Sequence, residues 1–175
     1  MDETRLRNAE SRHRGADFET LILESCDRYR RAGTADIFKI PEPMRTLRNM
    51  GNGRFLCVYV AKAGPDFAGV LAGGRHVCFE AKATGTDRIT LDRLTQKQTD
   101  ILETAWITGA VAFVLLMYPD IYARIPWEIW RVMPDVFGHR YISRTEAAAY
   151  QIPNWMGRPL FLDGLQEAHS GMEGK

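Results

Sequence analysis

Three side chains and their spacing set the chemistry open to this chain. Asp66 precedes one short apolar run, Glu80 and Lys82 end another, and a Gly73-Gly74 pair separates the two runs. Paired glycines supply the φ > 0 backbone that joins the strands of a hairpin. A strand alternates its faces with period two, so Glu80 and Lys82 point one way while Phe79 and Ala81 point the other. Folding at Gly73-Gly74 brings Asp66 beside Glu80. Two carboxylates and an ammonium at one sheet end suit phosphodiester hydrolysis. Hard Mg²⁺ takes carboxylate oxygens and keeps several waters. It polarises a phosphoryl oxygen and lowers the pKa of a bound water, while a lysine orients that water or neutralises developing charge. A plainer reading also fits, with Asp66 capping a turn and Glu80 and Lys82 forming an edge ion pair. A short motif needs its context.

The totals bound that context. The 175 residues are 45% hydrophobic and 26% charged, the size and make-up of one globular domain, or one plus an appendage. Cys26, Cys57 and Cys78 are scattered without a Cys-x-x-Cys pair, which argues for free thiols in a reducing compartment rather than a disulfide scaffold or a zinc site. The N-terminus is charged and has no apolar core, unlike a secretory signal. The longest apolar run, Ala110 to Tyr118, is too short to cross a bilayer and reads as a central strand. Net charge is only +1, yet from Arg28 to Arg54 seven basic residues face two acidic ones, and Arg5, Arg7, Arg12, His13 and Arg14 crowd the start. A phosphate-binding face and an ordinary solvated surface both fit this distribution.

The elements that must position the three residues follow in order. Residues 1–14 are polar, without apolar periodicity, and are expected to form a flexible basic arm. Phe18, Leu21, Ile22, Ser25, Cys26 and Tyr29 share one face of a helix expected from about Ala16 to Ala32. Glu19 stands near its start, where it could either reach the sheet end or favour the helix dipole. Asp36–Ile40 reads as a strand closed by Pro41 and Pro43. Met44–Gly53 is basic and loop-like and Arg54–Ala61 is β-rich, so residues 44–63 form an excursion from the core sheet. Thr95 and Gln98 fit a capping box at the start of a second helix. Ala110–Tyr118 and Ile121–Ile125 are strands, and Pro126 suits the first residue of a helix through Met133. Ser143 precedes a short helix, and residues 164–175 read as a disordered tail. The layout is α/β, a mixed central sheet flanked by helices. His13, His76, His139 and His169 have no metal-ligand spacing.

With these residues in view, the sequence resembles the RecU-type Holliday-junction resolvases of the PD-(D/E)xK nuclease superfamily. The resemblance runs from about Gly15 to Leu165. It is carried by Gly15-Ala16-Asp17-Phe18-Glu19, Lys39-Ile40-Pro41-Glu42-Pro43, Pro65-Asp66-Phe67-Ala68-Gly69, Phe79-Glu80-Ala81-Lys82, Gln96-Lys97-Gln98 and Gly109-Ala110-Val111-Ala112-Phe113. It implies a restriction-endonuclease-like core at residues 15–163 with a projecting stalk at about 44–63. It implies a metal held by Asp66, Glu80 and the Ala81 carbonyl, with Lys82, Glu19 and Gln98 completing a catalytic site. The implied activity is Mg²⁺-dependent, with Mn²⁺ as a substitute, cutting of four-way junctions in recombination and repair. A homodimer in the cytoplasm, on nucleoid DNA, would carry it out. Arg12, Arg14, Arg45, Arg48 and Arg54 are the expected DNA contacts. The alternatives are another nuclease of the same superfamily, of restriction or repair type, and a junction-binding protein that does not cut.

Overall fold

The computed structural model describes residues 3–60 and 64–165. The chain runs α1 (Glu3–Arg31), β1 (Ala35–Lys39), β2 (Met44–Gly51), β3 (Arg54–Tyr59), β4 (Phe67–Leu71), β5 (His76–Ala83) and β6 (Arg88–Thr90). It continues with α2 (Gln96–Ile107), β7 (Val111–Met117), β8 (Tyr122–Pro126), α3 (Trp127–Trp130), α4 (Met133–Phe137), β9 (Tyr141–Ser143), α5 (Arg144–Ala147), β10 (Asn154–Trp155) and β11 (Arg158–Pro159). Five strands make the central sheet in the order β1-β4-β5-β7-β8. Only β5 and β7 are parallel, joined by the α2 crossover, and the other neighbours are antiparallel. This is the mixed α/β sheet expected from the sequence. Among the described residues no helix is long and apolar enough to cross a membrane.

The two faces of the sheet carry separate cores. Phe18, Ile22, Cys26 and Tyr29 of α1 pack on Ile37, Phe67, Phe79 and Phe113. Leu102 of α2, Trp127 and Trp130 pack on Ala68, Cys78, Ala112 and Val114. Period-two alternation divides β5 between them: Phe79 faces α1 and Cys78 faces α2. The rings of Phe67, Phe79 and Phe113 stack across β4, β5 and β7 with centroids 5.0 and 4.6 Å apart. These cross-strand pairs lock the register. Phe67 opposes Phe79, so Asp66 and Glu80, one step further, are opposed as well. Gly73 and Gly74 turn the hairpin with φ of +89° each, a conformation that suits glycine.

Several boundaries differ from the sequence reading. The first helix starts at Glu3, so residues 3–14 are helical rather than an arm. They hold good helix formers without proline or glycine, and a helix already packed from Phe18 onward extends at little cost. The expected loop Met44–Gly53 is mostly strand β2, paired with β3. Pro126 caps α3 rather than opening it, and a separate α4 begins at Met133 with Pro134 in its first turn, because proline cannot donate the N–H a continuous helix needs. Strands β6, β9, β10 and β11 are too short to show a pattern. Residues 61–63, the end of the excursion, and 166–175, most of the expected tail, lie outside the described residues.

Candidate active site

Glu80 is the centre of the site. It is fully buried, one of only two buried polar residues among those described. Its Oε1 accepts from the Lys82 ammonium and from the Gln98 side-chain amide. Its Oε2 accepts from the Asp66 backbone N–H at 3.1 Å. The Asp66 carboxylate reaches back across the strands and accepts the Ala81 N–H at 3.0 Å. Two opposed strand positions thus exchange side chain for backbone contacts, and both carboxylates meet at one sheet end. Burial raises the Glu80 carboxyl most; the Lys82 ammonium pulls it back, the Asp66 carboxylate pushes it up, and the balance is about 7. A buried acid with a raised pKa beside a second acid is a signature of functional sites.

Gln98 owes its orientation to the start of α2. Its Oε1 accepts the Thr95 N–H at 2.9 Å and the Thr95 hydroxyl at 3.0 Å, within a complete capping box. With the carbonyl end held there, the amide nitrogen faces Glu80. The sequence marks Thr95 only as a helix cap; in the fold it also anchors the side chain that reaches Glu80. We expect Thr95→Val to cost about 0.5–2 kcal/mol of stability and, by freeing Gln98, to slow catalysis about tenfold. Paired melting and turnover measurements check this; a rate loss no larger than the unfolded fraction explains would make Thr95 only a cap.

Glu19 faces the same region without joining the cluster. It forms an ion pair with Lys39, and both border a cavity of about 310 Å³ that also touches Glu42, Asp66, Thr95 and Gln98. Because α1 starts at Glu3, Glu19 lies in mid-helix, which removes the alternative that it serves the helix dipole at a first turn. No spacing in the sequence pairs Lys39, at a strand end, with a partner twenty residues away. The pair is half-exposed, worth ~0.2–1 kcal/mol. Glu19→Gln should therefore leave melting almost unchanged while lowering turnover about tenfold or more. A wild-type rate would make it a surface ion pair.

The donor chemistry fits a hard divalent cation: the Asp66 and Glu80 carboxylates meet here, and their donors are all oxygen. Among the described residues no group of three His, Cys, Asp or Glu side chains is arranged to hold a metal, so the protein would supply two carboxylates and waters would fill the remaining positions. A larger groove of about 940 Å³, bordered by Arg28, Trp155 and Asp163, lies towards the other end of α1 and contains none of these groups.

The arginines expected to contact DNA fall in two places. Arg14 lies on α1 over Gly85, and Arg12 is also on α1. Arg45, Arg48 and Arg54 are on the β2–β3 hairpin, paired across the strands with Val58, Leu56 and Gly51. Cross-strand partners share a face, so all three project from one side.

A family model described as RecU, Recombination protein U, matches residues 13–125. Comparison with curated proteins finds no match. Among solved structures, Hjc, a Holliday junction resolvase from the archaeal hyperthermophile Archaeoglobus fulgidus, is 16% identical with a TM-score of 0.48, covering 77% of this chain and 88% of that one.

Proposed function

The chain belongs to the RecU family, and from that membership we propose that it is an endonuclease that hydrolyses phosphodiester bonds of four-way DNA junctions. The observation that carries the reading is the buried Glu80 held between Lys82, Gln98 and the Asp66 backbone. Asp66, Glu80 and the Ala81 carbonyl would hold Mg²⁺ or Mn²⁺, which when bound polarises the scissile phosphate and acidifies a water. Lys82 has a side chain only 17% exposed and its ammonium is held on Glu80, a placement from which it would offset charge developing on a bound phosphate with little reorganisation. Gln98 and Thr95 keep the Glu80 carboxylate oriented. The test is a labelled four-way junction beside a duplex of matching arms, with and without Mg²⁺. Paired nicks in the junction only with metal are expected. Equal cutting of the duplex would overturn junction selectivity, and no cutting of either would overturn the nuclease reading.

The working unit is a homodimer, since symmetric incision of a junction needs two sites related by a two-fold axis. The β2–β3 hairpin offers a matching surface. Opposite its arginine face, Met44, Thr46, Asn49, Phe55, Cys57 and Tyr59 form a face without charge, and all are exposed. An uncharged patch can meet its own copy without like-charge contact. Cys57 is an exposed free thiol in the middle of that face. A short bismaleimide should link wild-type protein into a covalent dimer, and Cys57→Ser should abolish the link. Absence of the link, with Phe55→Ser still dimeric by sedimentation, would remove this face as the interface. The place of action is the cytoplasm, consistent with free thiols at Cys26, Cys57 and Cys78 and with DNA as substrate.

A further inference from the structure

The far end of α1 carries a surface that the catalytic cluster does not use. The groove of about 940 Å³ there is bordered by the last turns of α1 and by the β10–β11 hairpin. Its carboxylates are already engaged: Glu24 pairs with Arg158, Asp27 with Arg30, and Asp163 accepts the Tyr29 hydroxyl at 3.4 Å. Arg28 and Arg31 border the same groove one turn apart, and neither forms an ion pair among the described residues. The Arg28 guanidinium lies over the Trp155 ring, 5.0 Å from its centroid, yet Trp155 is still 46% exposed. Beside it, Met156 has φ of +50° and Gly157 of +82°, the two-residue hairpin turn that prefers Asn-Gly. Methionine is uncommon at such a φ, and this one is 76% exposed, so its side chain gains little from packing. The turn is nonetheless pinned. The Tyr122 hydroxyl donates to the Gly157 carbonyl at 2.7 Å, and the Gly157 N–H donates to the Asn154 side chain at 3.2 Å. A strained, pinned turn that holds an apolar side chain in solvent suits contact with a second molecule.

We propose that this groove docks an acidic segment of a partner protein. An aliphatic or aromatic side chain of the segment rests on Trp155 and Met156, and a carboxylate reaches Arg28 and Arg31. Charge complementarity decides the occupant. The groove's unpaired charges are both positive, so the occupant is anionic. A DNA strand carries a phosphate every ~3.4 Å of helix axis and would also bring phosphates against Glu24, Asp27 and Asp163. A peptide can place one carboxylate where the arginines are and no charge elsewhere. Exposed Trp, Met and Arg together have the make-up of interface centres. Arg28 is already laid on the indole, so less side-chain freedom is lost when it takes a carboxylate. The proposal does not rest on the nuclease reading. Arg28 follows Glu19 by nine residues of α1, about 14 Å of helix, and β10 and β11 lie beyond the residues 13–125 that mark the family.

The test measures binding of a dye-labelled octapeptide, Gly-Asp-Glu-Leu-Phe-Asp-Glu-Gly, to the metal-free full chain by fluorescence anisotropy. Saturable binding that weakens with salt is expected. Replacing the peptide's acids with lysine, or its Leu-Phe with Ser-Ser, should abolish binding. Arg28→Gln and Trp155→Ala should each weaken it about tenfold. Met156→Asn should weaken it too while raising the melting temperature, because asparagine tolerates the left-handed turn. Exchanging Arg45, Arg48 and Arg54 for glutamine should leave peptide affinity unchanged, and Trp155→Ala should bind a four-way junction like wild type. If Trp155→Ala melts early, Arg28→Gln and Met156→Asn carry the comparison. No saturable binding, or wild-type affinity in Arg28→Gln and Met156→Asn, would overturn the docking site. Lost junction affinity in a folded Trp155→Ala would make the face a DNA contact, and a change of its oligomeric state in sedimentation would make it a contact between copies. Either result overturns the acidic partner.

Discussion

Glu80→Gln should abolish cleavage, leave junction binding close to wild type, and make the metal-free protein no less stable. Cleavage should fall at least about a thousandfold, because a neutral amide gives up several kcal/mol of cation binding and charge stabilisation. Junction binding should persist because phosphate contacts from arginines do not pass through Glu80. The stability result follows from the carboxyl's titration, which moves from 4.5 when exposed to about 7 in the fold. Between those values the folded protein holds the proton more tightly than the unfolded chain. Wild-type stability therefore falls as pH rises through that window and levels off above it. A shift of this size corresponds to roughly 3 kcal/mol. Glutamine carries no proton to lose, so its melting temperature should be flatter from pH 5 to 8 and equal or higher at pH 8. A variant that cuts junctions at the normal rate, or one whose melting temperature keeps the wild-type pH slope, would break the assignment of Glu80 as the buried acid of the site.

The site was legible in the sequence to the extent that its contacts are local. Gly73-Gly74 and the two-residue period were enough to oppose Asp66 to Glu80, and the stacked Phe67, Phe79 and Phe113 rings are the apolar pattern that fixes that register. Thr95 and Gln98 announced a helix start because a capping box is a contact across one turn. That the box also aims Gln98 at Glu80 is a tertiary fact, set by how α2 crosses onto β5, and no spacing encodes it. The Glu19–Lys39 pair is hidden for the same reason. The helical residues 3–14 and strand β2 were misread because burial is what writes periodicity into a sequence. Every residue of β2 is exposed, so no alternation between polar and apolar positions marks it as a strand.

That same exposure makes the hairpin removable. No residue of β2 or β3 is buried, so replacing residues 46–54 with a short Gly/Ser turn should leave the body folded and its melting temperature nearly unchanged. The candidate site residues Asp66, Glu80 and Lys82 lie outside the replaced stretch. Junction binding should nevertheless weaken sharply while duplex binding changes little. A four-way junction differs from a duplex in its open centre and its converging backbones, and a projecting basic element can enter that centre where a flat surface cannot. The replacement removes Arg48 and Arg54, which should lower the salt slope on the junction by about two. Exchanging Arg45, Arg48 and Arg54 for glutamine removes all three charges from one face while leaving the uncharged face intact, and should lower the slope by about three without changing the proposed dimer. Phe55→Ser on the other face should do the reverse. If the arginine variant remains folded and prefers junction over duplex by the wild-type ratio, the hairpin does not read the junction. Selectivity would then have to arise from the spacing of two active sites in the proposed dimer.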